Sequence, residues 1–404
     1  MKPRPFLRLV PFLSALLLLA LQARAQEELN AVLHPITQRT IEKARAILDL
    51  DPEQASLVRD LYQGYRTAFK TAMEDAQAKV QALHEKDDDP KQREKVREQT
   101  RGLVAATEKL DAGLLDDIKS LLGPGQAARF SAVERAHRRD SMRSMRIVAG
   151  DNVDLIDLLE AQKIAWRGDK ALAPIVDEYD LSLDRLITER QAALRELFDM
   201  IMKVENPMEL NENSFKGTVT RMYDLGKKLR DCNRGAARRI GEALPPDARA
   251  AFDAEIRRQT YPRVYGPCKA TRILAAAAKF NDLTESQRAE LGALASGYER
   301  EAAGANAAWV AEIDRAHDEF IADPMKALND EISNQDALVQ ARAARDDLDK
   351  RYAERLERLL SKDQNARLPA PPRASRRDHR SEIEPDFDEN AVERWVKGED
   401  EQDE

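Results

Sequence analysis

The stretch LDPEQASLVRDLYQGY, residues 50–65, reads as the start of a long helix. Asp51 suits the N-cap, Pro52 the first helical position, and Gln54 the place from which an amide reaches back to the cap. Val58, Leu61 and Tyr65 then recur at three- to four-residue spacing, which lays one apolar stripe along the helix. The pattern returns at residues 283–287 as LTESQ, followed by Leu291, Leu294 and Tyr298. A capped, striped helix start that recurs within one chain predicts an all-α fold built from repeats.

The tyrosines set the register. Tyr65, Tyr179 and Tyr298 lie 114 and 119 residues apart. Fifteen residues before each stands Leu50, Ile164 or Leu283, and twenty-four before each stands Ile41, Leu155 or Leu274. Pro90, Pro207 and Pro324 follow the tyrosines by 25, 28 and 26 residues. Each unit also closes alike, with Ile118 and Leu122 before Phe130, Ile240 and Leu244 before Phe252, and Leu356 and Leu360 before Leu368. The predicted unit is a short helix, a capped turn, two long antiparallel helices joined at a proline-containing tip, and a closing helix. In the first unit these fall near residues 32–49, 52–85, 91–121 and 125–145. Three such helical-hairpin repeats (26–146, 147–266 and 267–369) are expected to form an elongated body.

The ends differ in kind. Residues 1–25 have a basic start, an apolar run from Phe12 to Leu21 and Ala23-Arg24-Ala25, the form of a cleavable signal peptide cut after Ala25. The expected address is therefore periplasmic or secreted. Residues 370–404 open on prolines and a short basic run. From Asp378 onward they carry twelve acids against Arg380, Arg394 and Lys397, and they read as a disordered charged tail.

Charge narrows the function classes. Without the signal, Lys and Arg fall from 65 to 61 against 73 acids, leaving a net charge of about −12. That balance argues against nucleic-acid binding. No other segment is apolar enough to be an integral membrane span. With 34% charged and 5% aromatic residues, the chain suits long solvated helices with narrow apolar seams. No phosphate loop, nucleophile elbow or zinc-protease helix is present, so the chain reads as no enzyme, and no motif calls for a cofactor. The five histidines are never spaced as a ligand pair on one helical turn, and Asp87-Asp88-Asp89 lacks the ligand spacing and glycine of a calcium loop.

Three groups of residues remain as candidates. Asp51 with Gln54, Thr284 with Gln287, and Ser361 with Gln364 fit the capping box, which favours a structural role over a recognition edge. On that reading the cap side chain outweighs its glutamine in stability. The basic stretch 129–146 carries Arg129, Arg135, Arg138 and Arg143 beside Met142 and Met145. It reads either as a groove for protein partners, with adaptable methionines, or as a solvated helix paired with acidic neighbours. Cys232 and Cys268 read either as one disulfide or as two buried thiols.

LTESQ at 283–287, with looser copies at Leu50–Gln54 and Leu360–Gln364, resembles the LTxxQ motif of the Spy/CpxP family of periplasmic helical proteins. The resemblance implies an envelope-stress protein that holds unfolded clients in a cradle of helices. The second repeat departs from it, with Gly168 and Ala248 where the glutamines would stand. The expected function is an exported helical binding protein with holdase-like or scaffold activity toward envelope proteins. A ligand or metal sensor and a plain architectural spacer are the alternatives, and the oligomeric state is left open.

Overall fold

Local sequence explains where the helices start and stop. In the computed structural model, which describes residues 33–84, 90–143, 145–204, 212–322, 336–370 and 386–387, the chain is all-α apart from one two-residue ladder. Helix α1 (Gln38–Leu48) is capped by Thr37, and α2 (Pro52–His84) follows a turn in which Asp49 takes a left-handed conformation at φ 52°. Helix α3 (Pro90–Ser120) returns antiparallel along α2. The predicted closing helix is two pieces, α4 (Pro124–Ala127) and α5 (Phe130–Met142).

The same order follows twice more. Helices α6 (Leu155–Ala161), α7 (Leu172–Lys203), α8 (Glu212–Ala243) and α9 (Pro246–Thr260) form the second series. After α10 (Pro262–Tyr265) come α11 (Lys269–Ala277), α12 (Glu285–Ala322), α13 (Asp336–Leu359) and α14 (Lys362–Ala366). A helix of 33 residues such as α2 is about 50 Å long. Its propensity alone does not hold it; the apolar seam against the returning helix does.

The described residues divide into two compact units. The first holds residues up to Ile147 and Asp154–Ile240. Its core gathers Ile36, Leu48, Phe69, Ile118 and Val133, all nearly free of solvent, with the rings of Tyr62, Tyr65 and Phe69 stacked at 6.0 and 6.3 Å. Each such side chain contributes on the order of 1.5–3 kcal/mol by burial. Helix α7 runs back along α8, as the Glu178–Arg239 and Glu196–Arg221 ion pairs show. It also runs antiparallel to α3, through Arg195–Glu108 and through Arg101 donating to the Met202 carbonyl.

The second unit holds Val148–Val153 and the described residues from Gly241 onward, β2 apart. Its main core joins Leu274, Leu291, Tyr298, Leu348, Tyr352 and Leu356. A smaller cluster sets Tyr261 and Val264 against Trp309 and Ile313, with Tyr261 donating to Asp314 at 2.8 Å. Gly150 is required here: its φ is +84°, and a Cβ would come within 2.9 Å of Thr260.

The boundary between the units falls at Ile240/Gly241, inside the span read from sequence as one repeat, 147–266. The residues read from sequence as a signal peptide, the run Asp87–Asp89, Pro207 and Pro324 lie outside the described residues, as do most of those read as a tail. Asp386–Phe387 (β2) is described, and it pairs antiparallel with Met145–Arg146 (β1). Among the described residues no helix is long and apolar enough to cross a membrane.

Candidate functional site

The helix caps do more than cap. Asp51 accepts from the Gln54 amide at 2.8 Å, and Gln54 Oε1 accepts from the Asp51 amide at 3.2 Å. Gln54 Nε2 then reaches the far end of the hairpin, donating to the Leu121 carbonyl and to Gln126 Oε1, both at 2.9 Å. Gln126 answers by donating to Gln54 Oε1 at 2.8 Å and to the Asp49 carbonyl at 3.3 Å, while its Oε1 accepts from the Gly123 amide at 3.0 Å. Two donors and two acceptances on each amide are used.

The last hairpin repeats this clasp. Gln287 donates to the Leu359 carbonyl and to Gln364 Oε1, each at 3.0 Å, and caps with Thr284. Gln364 donates to the Asp282 carbonyl at 3.1 Å and caps with Ser361. The middle hairpin has Gly168 and Ala248 at these places; there Asp169 caps α7 by accepting from the Ala171 and Leu172 amides. Sequence reading missed Gln126. Its signal was alignment with Gln364, four residues past Leu122 and Leu360 respectively.

The register tyrosines form a second recurring device. Tyr65 donates to Asp111 at 2.5 Å and accepts from the Ile36 amide at 2.9 Å. Tyr179 donates to Asn233 at 3.0 Å and accepts from the Leu155 amide at 3.3 Å. Tyr298 donates to Asp349 at 2.7 Å, accepts from Arg345 at 2.7 Å, and lies 3.0 Å from Cys268 Sγ. Each phenol ties the first long helix of a hairpin to the second. Burial drives the Asp111 carboxyl up to about 7, against the pull of the Tyr65 hydrogen bond.

The basic stretch is an internal joint. Arg135 pairs with Asp180 at 2.5 Å, and Arg138 grips Asp184 with two hydrogen bonds at 2.6 and 3.1 Å. Buried Arg139 pairs with Asp154 at 3.1 Å and with Asp180. Lys43 bridges Asp140 and Asp157 at 2.5 and 2.7 Å, Arg39 joins Asp157 at 2.9 Å, and Arg143 lies 4.0 Å from it. Arg129 donates to the Leu48 carbonyl at 2.8 Å. These contacts lock α5 to α1 on one side and to α6 and α7 on the other.

Burial raises the Asp154 carboxyl to about 6, with Asp157 adding to the effect and Arg139 opposing it. Burial opposes ionisation of Asp157 too, yet Lys43 and Arg39 together hold its carboxyl below the usual range. The expected groove is corrected here. Met142 and Met145 are 1% and 2% exposed, so neither offers adaptable contact to a partner, and Arg135 and Arg138 are spent on Asp180 and Asp184.

The disulfide alternative is also corrected, because both Cys232 and Cys268 are free thiols. Cys268 instead caps α11, its Sγ accepting from the Thr271 amide at 3.4 Å. Burial pushes the Cys232 thiol up. Among the described residues no group of three or more His, Cys, Asp or Glu side chains is arranged to hold a metal ion. Compared with known proteins, the chain matches no family model, no curated protein and no solved structure.

Proposed function

We propose that the chain is an exported, non-enzymatic helical scaffold that engages other envelope proteins through the outward faces of its hairpins. The observation that carries this reading is where the distinctive polar residues go. The glutamine clasps and tyrosine ties are spent inside the molecule on joining pairs of helices 24–38 residues long, and the arginine joint on fixing the short helices α1, α5 and α6 against α7. A chain that invests its specific side chains in holding its hairpins together supplies a platform, and its highly charged composition suits partners recognised by charge and shape. The basic, apolar and small-residue pattern of residues 1–25 supports export.

The experiment is an aggregation assay paired with partner capture. Mature protein from residue 26 is mixed, without ATP, with several unfolding clients, and light scattering is followed. The scaffold reading expects scattering to be unchanged, and expects folded envelope proteins to be recovered on the immobilised chain and to rebind it as purified components. Broad suppression of scattering at equimolar protein supports instead the holdase that the LTxxQ resemblance implies. Neither result leaves the architectural spacer.

A further inference from the structure

We propose that the seam of the first hairpin is a proton-responsive element, with Asp111 the group that takes up and releases the proton. The chain supplies its own comparison. At the three equivalent tyrosine ties the second long helix presents Asp111, Asn233 and Asp349. Asn233 carries no charge to bury. Asp349 carries one, but Arg345 pairs with it directly and also donates to Tyr298. Asp111 is a half-buried carboxyl whose polar neighbours bring no positive charge.

The surroundings can be stated element by element. From α2 the Tyr65 hydroxyl faces Asp111 at 2.5 Å, with Tyr62 stacked on the Tyr65 ring. From the segment before α1 comes the Ile36 amide, which donates to the same hydroxyl and, by its hydrogen bond to Asp111, favours the ionised carboxyl. From α3 itself comes Glu108, one turn away and negative, and its charge is engaged by Arg195 of α7 at 2.7 Å. A carboxylate in this seam is desolvated and faces a like charge, and the hydrogen bonds of the Tyr65 hydroxyl and the Ile36 amide offset only part of that cost; a carboxylic acid avoids both penalties.

The direction follows from linkage. The folded-state carboxyl titrates at about 7, above the roughly 3.9 of an unfolded aspartate. The folded hairpin therefore binds the proton more tightly than the unfolded one. Its extra stability is fully present below about pH 4 and is lost as the pH rises through about 7. The first hairpin tightens in mild acid and loosens in mild alkali; at the other two ties the second long helix sets an uncharged Asn233, or Asp349 paired with Arg345, against the tyrosine.

The test is hydrogen exchange on the full mature chain at about pH 5.5 and about pH 8, with rates corrected for intrinsic exchange. Peptides from α2 and α3 are expected to be about thirtyfold better protected at the lower pH, and peptides around the Tyr298–Asp349 tie unchanged. D111N, which installs the second hairpin's amide, is expected to abolish the difference. Equal protection of α2 and α3 at both pH values overturns the proposal, and so does a difference that survives D111N. If D111N fails to fold, the Asp111 carboxyl carbon is titrated by NMR in the native chain. A midpoint near 7 supports the proposal and one near 4 overturns it.

Discussion

Gln54 and Gln126, 72 residues apart, hydrogen-bond each other in both directions, at 2.9 and 2.8 Å. Each also caps its own helix start and donates to a backbone carbonyl of the other's segment. One amide pair thus closes the base of a hairpin whose paired helices run on from it for about 50 Å.

The clasp reverses the ranking that the capping box alone predicts. Asp51→Ala removes one cap bond and is expected to cost about 0.5–2 kcal/mol. Gln54→Ala strands Gln126 as well, so a loss of about 1–3 kcal/mol is expected. The double change Gln54→Ala with Gln126→Ala should cost clearly less than the two single losses added together. Urea denaturation followed by circular dichroism measures the parent, the three single variants and the double variant. Additive losses would show that the two amides act separately.

The joint around α5 predicts a different outcome for charge reversal from the one a client groove predicts. Arg135→Glu and Arg138→Glu place like charges against Asp180 and Asp184. Melting should fall by several degrees, with new protease cuts between α5 and α7. A double-mutant cycle on Arg138 and Asp184 should return a coupling of about 0.5–3 kcal/mol. Unchanged melting would put these arginines back at a free surface.

Acid below about pH 4 should remove the contribution of Asp157 to this same joint. The Asp157 carboxyl is held below its usual range, so the stability it contributes is present above about pH 4 and is lost as the pH falls below that. Asp157→Asn is expected to be less stable than the parent at neutral pH and to flatten the acid limb of the melting profile. An acid limb identical in the two proteins would count against Asp157 as its source.

The thiols are expected to be independent. Under denaturing conditions without reductant, a thiol reagent should label two cysteines per chain, and a reducing agent should leave the melting temperature unchanged. Cys268→Ser keeps an N-cap acceptor for the Thr271 amide and should stay within about 0.5 kcal/mol of the parent, whereas Cys268→Ala should lose about 1 kcal/mol. A melting shift on reduction would restore the disulfide.

What could be read from the sequence was whatever is encoded within a few residues. The caps at Asp51, Thr284 and Ser361 were legible because a capping box spans four positions, and the all-α class because an apolar stripe at helical spacing needs no knowledge of its partner. Tyr65, Tyr179 and Tyr298 were visible as the register of a repeat, but their ties to Asp111, Asn233 and Asp349 cross 46 to 54 residues of chain. Tertiary structure alone decided the fate of the basic stretch. A run of arginines looks the same whether water or an aspartate faces it, and only the packing of α5 on α7 brought Asp180 and Asp184 opposite. Met142 and Met145, which sequence composition places on no particular face, are both buried in the fold. Charge and apolar character are properties of a residue; whether they are spent within the molecule or offered outside it depends on what the fold sets against them.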